Sequence, residues 1–107
     1  MATPTCNWPL GNGESLKFNV YDPNTEWNAV AGLYIFAYAD SKSWYALYVG
    51  QTTDFSDRIP GHELWDNAVQ LGATHIHALK VSQAATRDKW EKMLIQNLQP
   101  SLNTQYR

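Results

Sequence analysis

Gly32-Leu33-Tyr34-Ile35-Phe36-Ala37-Tyr38-Ala39, a break at Asp40-Ser41-Lys42-Ser43, then Trp44-Tyr45-Ala46-Leu47-Tyr48-Val49-Gly50: the reading of this stretch decides the fold. Both flanks are rich in aromatic and aliphatic residues of high strand propensity, and the polar break between them has turn chemistry. So short a connection can join only antiparallel neighbours, so the stretch predicts a β-hairpin. Gly32 and Tyr34 open it, and Tyr48 and Gly50 close it in mirrored order. A glycine at a strand end lets another backbone or a ligand come close, so two phenols and two such openings meet at one end of the hairpin.

Downstream, the alternation of residues 74–81 predicts a third strand. His75, His77 and Leu79 lie on one face, with Ile76, Ala78 and Lys80 on the other. Between the strands, residues 55–71 are expected to be helical in parts, divided by Pro60-Gly61. A helix restarting near His62 would put Leu64, Trp65, Ala68 and Leu71 on one face, with Gly72 ending it. A last helix, with Ser82 as N-cap, is stopped by Pro100. Its apolar arc is Trp90, Met93, Leu94, Ile95 and Leu98, and Glu91 falls inside that arc. Upstream, Pro4, Pro9, Gly11 and Gly13 rule out a helix, and Leu16, Phe18 and Val20 alternate as in a half-buried strand that ends at Asp22-Pro23-Asn24. Residues 1–31 thus read as an N-terminal extension that supplies either an edge strand or a flap, and 32–107 as the main domain.

A chain of 107 residues has room for one core. Its aromatic content, with five tryptophans, predicts a packed globule rather than disorder. Net charge is −2, and the few lysines and arginines are scattered, so no basic patch supplies strong free-standing affinity for nucleic acid. Cys6 is alone, which excludes an internal disulfide and a multi-cysteine zinc site. Neither a signal-like start nor an apolar run near the ~18 residues of a membrane span is present, so a soluble, cytoplasmic protein without a membrane partner is expected.

Several polar residues invite both a structural and a chemical reading. A carboxylate in the buried stripe of a helix costs free energy unless it is paired or binds a cation, so Glu91 predicts either an i,i+4 ion pair with Arg87 or a metal ligand. Tyr34 and Tyr48 are either strand packing or paired phenols at a site. Arg58 is either a surface residue paired with Asp54 or Asp57, or a fork for a phosphate. His62, four residues later, reads by itself as an ordinary polar group at a helix start. Asn103 reads as a turn residue after Pro100. His75 and His77 have a spacing that can bind zinc, but no cysteine or carboxylate completes the set.

Taken in order, Gly32-Leu33-Tyr34, Tyr48-Val49-Gly50, Arg58, His62, Glu91 and Asn103 resemble the signature of the GIY-YIG nuclease superfamily. The likeness spans most of the chain from Gly32 to Asn103. It implies an α+β fold, a three-stranded antiparallel sheet flanked by helices, here with the N-terminal extension added. It also implies a metal-dependent endonuclease acting on DNA, with Mg²⁺ or Mn²⁺ held by Glu91 as the sole protein ligand. Tyr34, Tyr48, Arg58, His62, Glu91 and Asn103 become the expected catalytic set, and Gly50, Thr52 and Arg58 the expected substrate contacts. A phenol with an ordinary pKa of about 10 is a weak base at neutral pH, so Tyr34 is expected to need a cation or His62 as proton acceptor. Two departures stand out. Residues 51–57 carry acids where relatives often carry lysine or arginine, and the link between the two tyrosines is longer than typical. Two rivals follow: a weakly cutting binding or recruitment module, and a nuclease for RNA or for branched or damaged DNA delivered by a protein partner, with a homodimer also conceivable.

Overall fold

The computed structural model describes residues 3–107. Eight elements follow in order: β1 (Thr5–Pro9), β2 (Ser15–Tyr21), β3 (Gly32–Ala39), β4 (Trp44–Thr52), α1 (Phe55–Arg58), α2 (Trp65–Gln70), β5 (His75–Lys80) and α3 (Ala84–Leu98). The strands form one antiparallel sheet in the order β1-β2-β5-β3-β4. The expected three strands are therefore five. The extension contributes a hairpin, and β2 pairs with the otherwise open edge of β5, with Asn19 opposite Ala78 and Tyr21 opposite Ile76.

β3 lies inside the sheet, between β5 and β4, and is covered on both faces, which explains its unbroken apolar run. Leu33, Ile35 and Ala37 join Phe18, Val49, Leu94 and Ile95 in a core beneath α3. Tyr34 and Phe36 face the other way, into a core with Phe55, Ile59, Ala68 and Ile76 under α1 and α2. The period-two alternation of one strand thus divides the interior into two layers.

β3 and β4 pair in register from Gly32–Thr52 to Phe36–Tyr48, then shift so that Ala37 faces Ala46. Leu47 is the extra residue of this bulge, and both Leu47 and Tyr48 pack toward the α1/α2 core. Bulges re-aim side chains in this way, and here the effect falls beside the second tyrosine.

The helices correct several boundaries. Residues 55–71 form two short helices, with Gly61 at φ 72° in the turn between them. Leu71 is exposed rather than on the buried face, because the chain already leaves the helix at Gly72, φ 109°. α3 starts one residue later than expected, with Gln83 rather than Ser82 at its N-cap and no side-chain cap. Past α3, the chain lies along the free edge of β4, where the Leu102 amide donates to the Leu47 carbonyl at 3.0 Å. Among the described residues, no helix is long and apolar enough to cross a membrane.

Candidate active site

The two glycines of the hairpin are small for different reasons. A Cβ on Gly32 would overlap the Leu79 carbonyl and the Phe55 ring, so this glycine permits strand and helix to close on β3. A Cβ on Gly50 would stand 2.5 Å from Cζ and 2.6 Å from Oη of Tyr34, directly opposite in the ladder. Gly50 is the recess into which the Tyr34 phenol fits, so its first service is to that tyrosine rather than to substrate.

Tyr34 is buried, and its Oη lies 2.9 Å from Nε2 of His62. The other ring nitrogen, Nδ1, accepts the backbone N–H of Leu64 at 3.1 Å. Neutral imidazole carries one proton, so with Nδ1 accepting, the proton sits on Nε2 and is donated to Tyr34. Burial, and then the Arg58 charge, lower the His62 pKa below its usual 6.5, which keeps the ring neutral. The expectation that His62 takes the phenol's proton is thereby corrected: the Leu64 amide fixes the opposite polarity. His62 stabilises negative charge on Tyr34 Oη and leaves the tyrosine's own proton for another acceptor.

Tyr34 also feels the rest of the group. Burial, then Tyr48, push its phenol well above the ordinary 10, Arg58 pulls it down, and Glu63 and Glu91 push it up. Tyr48 is half-buried against Phe36 and His62, with ring centroids 5.6 and 5.3 Å away, and burial likewise raises its phenol. Residues distant in sequence therefore converge on one pair of phenols.

Arg58 pairs with neither Asp54 nor Asp57. Both terminal nitrogens donate to Glu63, each at 2.8 Å. The turn at Pro60-Gly61 brings that glutamate back, while the Asp54 carboxylate is occupied as the N-cap of α1, accepting from Ser56. The guanidinium holds the Glu63 carboxyl down at about 2. Glu63 thus occupies the bidentate fork that a phosphate would use.

Glu91 is 7% exposed and, contrary to the ion-pair expectation, is not bridged to Arg87. Arg87 instead donates Nη1 to the carbonyls of Val81, at 3.0 Å, and Ser82, at 2.9 Å, while its Nε donates to Oε1 of Gln51 at 3.3 Å. Among the described residues, Glu91 receives only the Gln51 amide, at 3.2 Å. Burial raises its carboxyl above the usual range, the Gln51 hydrogen bond opposes this, and the Asp88 charge adds to it. A buried carboxylate with only a neutral donor for company fits a divalent cation. Among the described residues no three His, Cys, Asp or Glu side chains cluster, so a cation here would keep several waters, as Mg²⁺ does.

The remaining expected residues take supporting places. Asn103 is fully buried, and its side chain both donates to the Val49 carbonyl and accepts the Val49 amide, each at 2.9 Å. With both polar ends occupied, it ties down the strand that carries Tyr48 and Gly50. Thr52 Oγ1 is engaged with the backbone of Asp54, closing the turn into α1. His77 is fully buried and accepts the Trp8 indole N–H at 2.9 Å, which makes it a packing residue and not half of a zinc pair. Gln51, Glu63 and Asp88 are the polar neighbours that the sequence did not single out. For Gln51 the signal was its place directly after Tyr48-Val49-Gly50 on the same strand.

No family model matches the chain, and no curated protein matches it in sequence. Among solved structures, it is similar to the GIY-YIG N-terminal endonuclease domain of UvrC from Thermotoga maritima, solved as a tyrosine-to-phenylalanine point mutant bound to its catalytic divalent cation. The two are 20% identical over 74% of this chain and 88% of that one, with a TM-score of 0.59. The α+β fold of this chain is that of a GIY-YIG endonuclease domain.

Proposed function

We propose that the protein is a divalent-metal-dependent endonuclease that hydrolyses phosphodiester bonds in DNA. The observation that carries this reading is Glu91: a buried carboxylate that, among the described residues, belongs to no ion pair and is held by Gln51, the residue next to the Gly50 that faces Tyr34. The fold it shares with a nuclease domain adds support. Glu91 is the residue to hold Mg²⁺ or Mn²⁺, and such an ion, when bound, polarises a phosphoryl oxygen and eases departure of the leaving oxygen.

The chain's own residues divide the rest of the work. Tyr34 is protonated at neutral pH, so it serves as a relay: its oxygen takes a proton from the attacking water as its own proton passes to a substrate oxygen. His62 Nε2–H holds that oxygen in place and stabilises charge passing through it. Arg58, once Glu63 releases it, grips the phosphate and offsets charge growing on it. Tyr48 packs against Tyr34 and His62, and Asn103 and Gly50 keep both tyrosines in register.

Metal-dependent nicking of supercoiled plasmid is the direct test. Wild type with Mn²⁺ should cut, while Glu91→Gln, or wild type in excess chelator, should not. Full activity of a folded Glu91→Gln variant would refute the site. The engagement of Arg58 by Glu63, together with net charge −2, favours one second reading, a recruitment module that binds but scarcely cuts. Absence of nicking after prolonged incubation with Mn²⁺, with DNA binding retained, would select it.

A further inference from the structure

Asp88 and Glu91 are three residues apart on α3, a spacing that puts both carboxylates on one side of the helix, where like charges repel. One nitrogen serves both. Gln51 Nε2 donates to Asp88 Oδ1 and to Glu91 Oε1. The orientation of that amide is set from behind, because Arg87 Nε–H can only donate and so requires Oε1 of Gln51 on its side. Arg87 itself is buried and pinned by the Val81 and Ser82 carbonyls, so it cannot swing across to neutralise the pair. Among the described residues neither acid belongs to an ion pair. Two hard oxygen donors therefore converge on a point where the chain itself supplies only half of an amide dipole.

We propose that Asp88 joins Glu91 in holding the divalent cation, directly or through one of its waters, and that the Gln51 carboxamide is the group that gives way to it. The inference rests on the reading of Glu91 as a metal ligand and extends it to a second carboxylate. One buried and one exposed acid suit an ion that retains part of its hydration shell. Removing a group that supports a metal ligand commonly lowers affinity ~10–100-fold.

The test is Mn²⁺ binding, measured by calorimetry and by electron paramagnetic resonance, on wild type, Glu91→Gln, Asp88→Asn and Gln51→Met. Asp66→Asn serves as the control for general loss of negative charge. Asp88 is exposed, so Asp88→Asn should fold normally, which circular dichroism checks. The expected result is loss of binding in Glu91→Gln and at least ~10-fold weaker binding in Asp88→Asn. Binding by Gln51→Met should be tighter than wild type, and binding by Asp66→Asn unchanged. If Asp88→Asn binds like wild type, or no more weakly than Asp66→Asn, the second carboxylate is refuted while the role of Glu91 stands. If Glu91→Gln binds like wild type, both readings fall together.

Discussion

Replacing Gly50 by alanine should damage the site through a single methyl group. The added Cβ would lie 2.5 Å from Tyr34 Cζ and 2.6 Å from its Oη, whereas relaxed carbon contacts are about 3.5–4.0 Å. The ring must retreat by about 1 Å, or β4 must bow outward by as much. Neither is easy, because Tyr34 is packed between Phe36 and Tyr48, and β4 is fastened at Val49 by Asn103. Overpacking of this kind costs about 1–3 kcal/mol, which urea denaturation would report as a lower midpoint with unchanged slope. A shift of that size also breaks the 2.9 Å contact between Tyr34 and His62. Misplacement of a reacting group by about 1 Å can cost on the order of 10²-fold in rate. Plasmid nicking with Mn²⁺ should therefore fall about a hundredfold in a variant that is still mostly folded. The steric reasoning is refuted if Gly50→Ala matches wild type in both denaturation midpoint and nicking rate.

Three further outcomes are expected. Glu63→Gln should free the Arg58 fork, raising affinity for short duplex DNA severalfold at low salt in fluorescence polarisation while leaving the melting temperature nearly unchanged; equal or weaker binding would show that Glu63 orients Arg58 rather than competing with phosphate. Burial, with a smaller contribution from His75, lowers the His77 pKa from 6.5 to about 4, so the unfolded chain takes up a proton that the native state refuses as pH falls through that window. Stability should be full above pH 6.5 and drop by about 3 kcal/mol by pH 4, and His77→Gln should flatten that part of the profile in urea titrations. Asn103→Ala should lose about 2–3 kcal/mol by orphaning the Val49 amide and carbonyl, with the fall in nicking recovered in part by Asn103→Gln only if the loss is one of strand positioning.

The hairpin was legible because two independent signals coincide there, strand-forming composition and a mirrored pair of Gly and Tyr. Glu91 was legible as well, since an acid in an apolar arc is conspicuous at helical spacing. Its partner was not. Helix periodicity places Arg87 one turn away, but it cannot see that the Val81 and Ser82 carbonyls lie within reach and take the guanidinium first. Arg58 failed in a related way: sequence neighbours Asp54 and Asp57 were the obvious partners, yet Asp54 caps α1, and the Pro60-Gly61 turn delivers Glu63 instead. β1 escaped notice because its alternation is short, with Cys6 and Trp8 turned inward between exposed Thr5, Asn7 and Pro9, and because Pro4 and Pro9 bound it. The His62 tautomer depends on one backbone amide, a detail no spacing encodes.

The signs of the charges around the phenols have a consequence for the proposed reaction. Arg58 is the one guanidinium that bears on Tyr34, against Glu63 and Glu91, with Asp88 beside Glu91. A phosphodiester arriving at this group meets more negative charge than positive, in a chain whose 8 lysines and arginines are outnumbered by 10 acids. Cation and nucleic acid should then bind with positive coupling, since each neutralises part of what repels the other, and that coupling is reciprocal by linkage. Such a site would be silent toward DNA at low metal and would engage it once the carboxylates on α3 are neutralised. On the proposed function, a small acidic domain would in this way need no extended basic surface: its affinity for phosphate would be supplied at the reacting centre and not around it.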